Sequence, residues 1–221
     1  MVKPWRPTLR LCCFMGTITA LTTQQRNPNR VSVFLDGEFA FGLAAMTAVS
    51  LRIGQTLTAV DIDQLQQADE LENAKQSAIR YIGYRPRSIA EVRTHLRNKG
   101  FADTAVDLAC VRLQEVGLLD DAAFAQYWVE QRETFKPRSQ LALQQELQQK
   151  GVSREIIGSV LTEVDETDAA RQAALKQASR WQRLPEAEFR QKLSSHLQRR
   201  GFSYDLIKQI VNESWKELNE R

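Results

Sequence analysis

From residue 88 onward the polar and apolar positions repeat as one block, three times over. Leu96-Arg-Asn-Lys-Gly100-Phe101, Leu147-Gln-Gln-Lys-Gly151-Val152 and Leu197-Gln-Arg-Arg-Gly201-Phe202 align with their glycines 51 and then 50 residues apart. Four residues before each leucine stands another apolar residue: Val92, Leu143 and Leu193. After each glycine an apolar pair recurs at +5 and +6 (Ala105/Val106, Ile156/Ile157, Leu206/Ile207). A second pair recurs at +9 and +10 (Ala109/Cys110, Val160/Leu161, Ile210/Val211). Spacings of three and four residues predict helices, and a period of this length predicts stacked helical units. Such arrays mostly work by offering an extended surface to a partner, so the pattern favours binding over catalysis.

The repeated glycine has a physical reason. Just past a helix end it takes the left-handed conformation that other residues resist. The apolar residue after it then packs back on the helix, giving the pairs Phe101/Leu96, Val152/Leu147 and Phe202/Leu197. On capping alone, Gly151→Asn is expected to be tolerated better than Gly151→Val. Ser153 and Ser203 stand where the next helix needs its N-cap, with Asp103 in that role, one position late, in the first block. Pro86-Arg87-Ser88 and Pro137-Arg138-Ser139 are 51 residues apart and place further serine caps. The third block departs, with Pro185-Glu-Ala-Glu188. The aspartates of Leu118-Leu-Asp120-Asp121 read as a helix start.

Residues 17–57 read as a small β module. Val31-Ser-Val-Phe-Leu35 and Phe39-Ala-Phe-Gly-Leu43 flank Asp36-Gly37, the strongest short hairpin signal. Two-residue and bulged turns place Phe34 and Phe39 differently, so the register stays open. Thr58-Ala-Val-Asp61 resembles a capping box and opens a helix through about Asp69. The expected organisation is a flexible basic tail (1–16), the β module (17–57), a linker helix with a first helical repeat (58–117), a second repeat (118–166) and a third (167–221). Residues 1–14 lack periodicity, and a chain starting at Met15 is expected to melt like the full one.

Composition adds bounds. At 221 residues and 43% hydrophobic, the chain can bury several small cores in series. No apolar run approaches the ~18 residues of a membrane span. The short run Leu9–Met15 is too brief for a signal peptide. Cys12, Cys13 and Cys110 have no ligand spacing, which fits a reduced cytoplasmic protein without a metal site. The net charge of +3 is unevenly spread: five basic residues and no acid between Met1 and Leu35, seven against Glu91 between Lys75 and Gly100, and eight against Glu186 and Glu188 between Arg171 and Arg200. Any one block reads as a solvated helix face, but three segregated blocks point to a polyanionic partner.

Catalytic chemistry finds no support in the pattern. The two histidines, His95 and His196, occupy equivalent block positions where the second block has Glu146, which reads as a solvent-facing helix flank. No glycine loop cradles a phosphate, and no Ser/His/Asp or Cys/His set is proposed by spacing. Tyr81, Tyr84, Tyr127 and Trp128 offer stacking surfaces for bases, but their helical spacing favours core packing. The chain reads as a non-enzyme without cofactors.

The hairpin Asn29-Arg-Val-Ser-Val-Phe-Leu-Asp-Gly-Glu-Phe-Ala-Phe-Gly42 resembles that of the RecX family of bacterial recombination regulators. So do Arg87-Ser88, Lys99-Gly100-Phe101, Leu118-Leu-Asp-Asp121 with Phe124-Ala125, Glu146-Leu-Gln-Gln-Lys-Gly151 and Arg199-Arg-Gly-Phe-Ser203. The resemblance covers about residues 17–217. It implies a mainly α protein, three tandem three-helix repeats in an elongated curved array behind the β-hairpin module. It also implies a monomer that binds the RecA recombinase filament on single-stranded DNA and inhibits its ATPase and strand exchange, with no active site of its own. No motif marks contact residues. Charge and block position single out Arg80, Arg85, Arg87, Arg93, Arg97, Lys99, Arg138, Lys150, Arg199 and Arg200; of these, Arg87, Arg93, Arg97, Lys99, Arg138 and Lys150 are expected to share a face that Arg199 and Arg200 extend. Reversing Arg87, Arg97 and Arg138 to Glu is expected to leave the fold intact. The competing class is a helical module that binds DNA directly, and a general helical adaptor stands as a third reading.

Overall fold

The computed structural model describes residues 15–25 and 27–219, so the expectations for residues 1–14 lie outside the described residues. Four strands come first, β1 (Met15–Gln24), β2 (Asn27–Leu35), β3 (Glu38–Ala44) and β4 (Thr56–Thr58), with a one-turn helix α1 (Ala45–Ala48) before β4. Among the described residues nine further helices follow: α2 (Ala59–Ile82), α3 (Ile89–Asn98), α4 (Asp103–Glu115), α5 (Asp121–Phe135), α6 (Gln140–Gln149), α7 (Arg154–Leu161), α8 (Glu166–Trp181), α9 (Glu186–Gln198) and α10 (Tyr204–Asn219). They form two compact units. One takes the chain up to Tyr84 together with Arg93–Leu118; the other takes Arg85–Val92 and everything from Leu119. The boundary falls inside α3, whose first turn belongs to the second unit.

In the first unit the sheet is antiparallel in the order β3-β2-β1-β4. Met15 and Gly16 pair with Thr58 and Leu57, so β1 starts two residues earlier than the tail read from the sequence allows. Asp36 and Gly37 both have positive φ (50° and 91°) and join Leu35 to Glu38, a two-residue hairpin turn. The register shifts between Val33 and Phe34, and the Phe34 and Phe39 rings meet edge-on at 5.9 Å. Ile18, Val33, Leu43, Leu57 and Ile62 fill the core between sheet and helix. Asp69 of α2, buried, ties the two together: it accepts from the Ala44 amide, from Arg30 Nη2 at 2.9 Å and from Asn73 Nδ2 at 2.9 Å.

The Thr58 capping box forms as expected: Thr58 Oγ1 accepts from the Asp61 amide and Asp61 accepts from the Thr58 amide. The helix it opens, however, runs 24 residues instead of ending near Asp69. No glycine or proline interrupts residues 59–82, so the linker helix and the first helix of the first block are one. Ala102, not Asp103, is the N-cap of α4 and has no capping side chain. Glu70 Oε1, from α2, accepts from the Ala102 amide instead at 2.7 Å. Cys110 is buried on α4, and burial pushes its thiol pKa up.

In the second unit α5–α7 and α8–α10 repeat the same arrangement, with the first and third helix of each block packed together. Asp120 caps α5 by accepting from the amides of Ala122 (2.7 Å) and Ala123 (3.3 Å), the role read from the sequence. Asp121 instead accepts from the Ile89 amide at the start of α3. Ser139 and Ser153 cap α6 and α7. The third block differs at its start. Counting back from the glycine, buried Phe189 stands where Ser88 and Ser139 stand in the other two. Its ring lies 5.2 Å from Trp215 of the long α10.

Candidate functional site

All three glycine turns close by the same two backbone bonds. The amides of Phe101, Val152 and Phe202 donate to the carbonyls of Leu96, Leu147 and Leu197, and the glycine amides donate to Arg97, Gln148 and Gln198. The glycine φ values are +87°, +80° and +91°. Two of the turns also receive the start of another helix. Ser88 Oγ donates to the Lys150 carbonyl at 2.6 Å, and the Ser139 amide donates to the Arg200 carbonyl at 3.1 Å. Ser88 closes a capping box with Glu91 as well, accepting from the Glu91 amide while Glu91 accepts from its own.

These junctions gather the basic residues into two clusters, both inside the second unit. In the first, Glu91 takes Lys150 Nζ at 2.8 Å and Arg85 Nη2 at 3.0 Å, with Arg87 Nη1 at 3.9 Å. Burial pushes the Glu91 carboxyl up, but hydrogen bonds from Lys150 and Arg85 and their charges outweigh it and hold its pKa below the usual 4.5. In the second, Glu146 takes Arg132 Nε at 2.7 Å and Arg138 Nε at 2.9 Å, and accepts from Trp128 Nε1 at 2.8 Å. Arg132 and Lys150 lie over the Trp128 ring, 4.5 and 5.2 Å from its centroid. Arg200 donates to the Pro137 carbonyl at 3.0 Å. Burial, then the charges of Arg138, Arg132 and Arg199, hold the Arg200 guanidinium pKa down.

The other candidates sit apart. In the first unit Arg93 pairs with Asp107 at 3.3 Å and Arg97 with Asp103 at 2.7 Å. Arg80, Lys99 and Arg199 are exposed and have no acidic partner within 4 Å among the described residues. The ten candidates therefore fall into groups with different work. Arg85, Arg87, Arg138, Lys150 and Arg200 are junction residues first, and Arg80, Lys99 and Arg199 are free charges. This overturns the expectation that Arg87 and Arg138 can be reversed harmlessly. The Arg87 side chain is only 15% exposed beside Glu91, and a carboxylate there would face another at close range.

The His/Glu/His position is not a solvent-facing flank. Each of the three packs on an aromatic residue of its block's first helix. His95 stacks on Tyr81 at 4.0 Å, Glu146 accepts from Trp128, and His196 meets Trp181 edge-on at 6.1 Å. Burial, then Arg200 and Arg199, hold the His196 pKa down, and its Nε2 is buried without a partner. Arg132 was missed by the sequence reading because it lies in the last turn of α5, outside any repeated turn motif. Its spacing from Trp128, four residues along α5, was the available signal.

Comparison with known proteins follows the same block divisions. Family models match residues 16–58 (regulatory protein RecX N-terminal domain), 74–113, 120–161 and 163–211 (RecX first, second and third three-helix domains). Regulatory protein RecX of Bacillus licheniformis is 33% identical over 205 residues, covering 90% of this chain and 78% of the relative. That of Bacillus subtilis is 30% identical over 211 residues, covering 93% and 80%. A crystal structure of regulatory protein RecX superposes with a TM-score of 0.70 at 25% identity, over 89% of this chain and 99% of the other. Block order, strand module and sequence agree along nearly the whole chain, which belongs to the RecX family of regulatory proteins.

Proposed function

We propose that the chain binds the RecA recombinase filament on single-stranded DNA in the cytoplasm and inhibits its ATP hydrolysis and strand exchange. Membership of a family of regulatory proteins carries this reading. The unpaired surface cations support it, because both the filament and its DNA present anionic groups. The test is to add the chain to RecA filaments at sub-stoichiometric and equimolar ratios and follow ATP hydrolysis. Inhibition is expected at both, and hydrolysis unchanged at equimolar ratio would end this reading. Arg80→Glu with Lys99→Glu should melt like the wild type, since exposed unpaired charges contribute little to stability, and should inhibit more weakly.

A helical module that binds nucleic acid directly is the second reading, favoured by the cation surplus around Glu146. Salt separates the two. Direct phosphate binding weakens steeply as salt rises, whereas docking on a protein filament keeps a salt-resistant apolar part.

A further inference from the structure

We infer that Arg132, Arg138, Arg199 and Arg200 form a seat for the phosphates of a single strand, and that Glu146 is a built-in competitor that limits its affinity. The inference rests on the proposed encounter with a filament that carries such a strand.

The charge balance is the first ground. Among the described residues, Glu146 is the acidic side chain within 4 Å of any of these arginines, and it meets only Arg132 and Arg138. Two guanidinium groups thus share one carboxylate, and the other two have none within 4 Å among the described residues. Both contacts are made through Nε, and Arg138 Nε has no aligned hydrogen bond. The forked ends that match phosphate geometry are left without a protein acceptor at Arg132, Arg138 and Arg199. Arg200 spends one nitrogen on the Pro137 carbonyl. Arg132, Arg138 and Arg200 are half-buried cations that call for an anion, and the surplus, with exposed Arg199, suits a ligand with several charges in series.

Block comparison is the second ground. Glu146 stands where the sister blocks have His95 and His196. All three meet their block's aromatic residue, and two of the three do so without a carboxylate. At this position only the second block places a permanent negative charge, between Arg132 and Arg138. Its effect on an incoming phosphate is repulsion at short range and occupation of the Arg132 Nε donor.

The measurement is anisotropy of a fluorescein-labelled oligothymidylate with the full chain and no recombinase present. Glu146→Gln keeps an acceptor for Trp128 Nε1 and should bind up to about tenfold tighter, with a salt slope steeper by about 0.7. Arg138→Gln should bind more weakly than wild type. Unchanged or weaker binding by folded Glu146→Gln overturns the competitor role. Should that variant fail to fold, the wild-type chain decides by NMR of its two histidines. On titration with oligothymidylate His196, beside Arg199 and Arg200, should shift while His95 does not, and a still His196 removes the seat. Inorganic phosphate alone should move His196 only slightly; a full shift would mean that the seat takes free phosphate and needs no strand. Poly-glutamate that binds as well as the oligonucleotide would overturn phosphate recognition. Failure here leaves inhibition of filament hydrolysis standing, and binding here without that inhibition would end the filament reading alone.

Discussion

The Gly100 and Gly151 turns share sequence, backbone bonds and φ, yet they are different places in physical terms. A Cβ added at Gly100 meets nothing within 4 Å. One added at Gly151 lies 2.4 Å from the Ala90 Cβ, and one at Gly201 lies 2.6 Å from Ser139 Oγ and 3.0 Å from the Ala142 Cβ. Gly100 thus answers one constraint, positive φ, and the other two answer a second, the helix start that lands on them. One motif can record two kinds of need, and only its neighbours say which.

The comparison breaks most readily at Gly151. Gly151→Ala combines a left-handed alanine with an overpacked contact and should lose about 2–5 kcal/mol in urea unfolding. Asparagine tolerates positive φ but carries the same Cβ. Gly151→Asn should therefore bring little relief, against the expectation from capping alone. Ala90→Gly in the Gly151→Ala background should recover the steric part and leave the conformational part. No recovery would mean that the contact is not what the glycine protects. Gly201→Ala should lose about 2–3 kcal/mol, because its nearest neighbour, the Ser139 hydroxyl, can rotate aside only by giving up its cap on α6.

Acid should separate the turns next. The Gly151 junction is held in part by Glu91, whose side chain is 15% exposed between Arg85 and Lys150. Its folded pKa lies below the unfolded 4.5, so its stabilisation is present above about 4.5 and is lost as pH falls through the folded value. The Val152 amide, bonded to the Leu147 carbonyl, should lose hydrogen-exchange protection in that window. The Phe101 amide, bonded to Leu96 in the open turn, should lose much less. Equal losses would show that the acid effect is global.

Much of this was legible in the sequence because it is local. The three turns, the Asp36-Gly37 hairpin, the Thr58 capping box and the Asp120 cap each rest on residues a few positions apart. What stayed hidden depends on partners far along the chain. Asp69 reads as one acid in an acidic stretch until Arg30, 39 residues away, folds onto it. Glu91 and Lys150 lie 59 residues apart, and Ala90 gives no sign of touching Gly151. The candidate list misjudged the state of its basic residues, because charge counts do not reveal which cations already own a carboxylate. The His/Glu/His position looked like a tolerant surface site, since alternation of His and Glu carries no mark of the aromatic ring beneath.

The smallest effect is the sharpest control. At Gly100 the only constraint is φ of +87° with open space beyond. Gly100→Ala should therefore lose about 1 kcal/mol, the conformational penalty without a packing term. Gly100→Asn should lose only a few tenths, because asparagine visits the left-handed region with a locally bonded side chain. The ratio between alanine and asparagine is the useful quantity. It should be large at Gly100 and near one at Gly151, where the Cβ shared by both residues sets the loss. Similar ratios at the two turns, measured by urea unfolding under one condition, would mean that Ala90 yields easily and that a single constraint governs all three glycines.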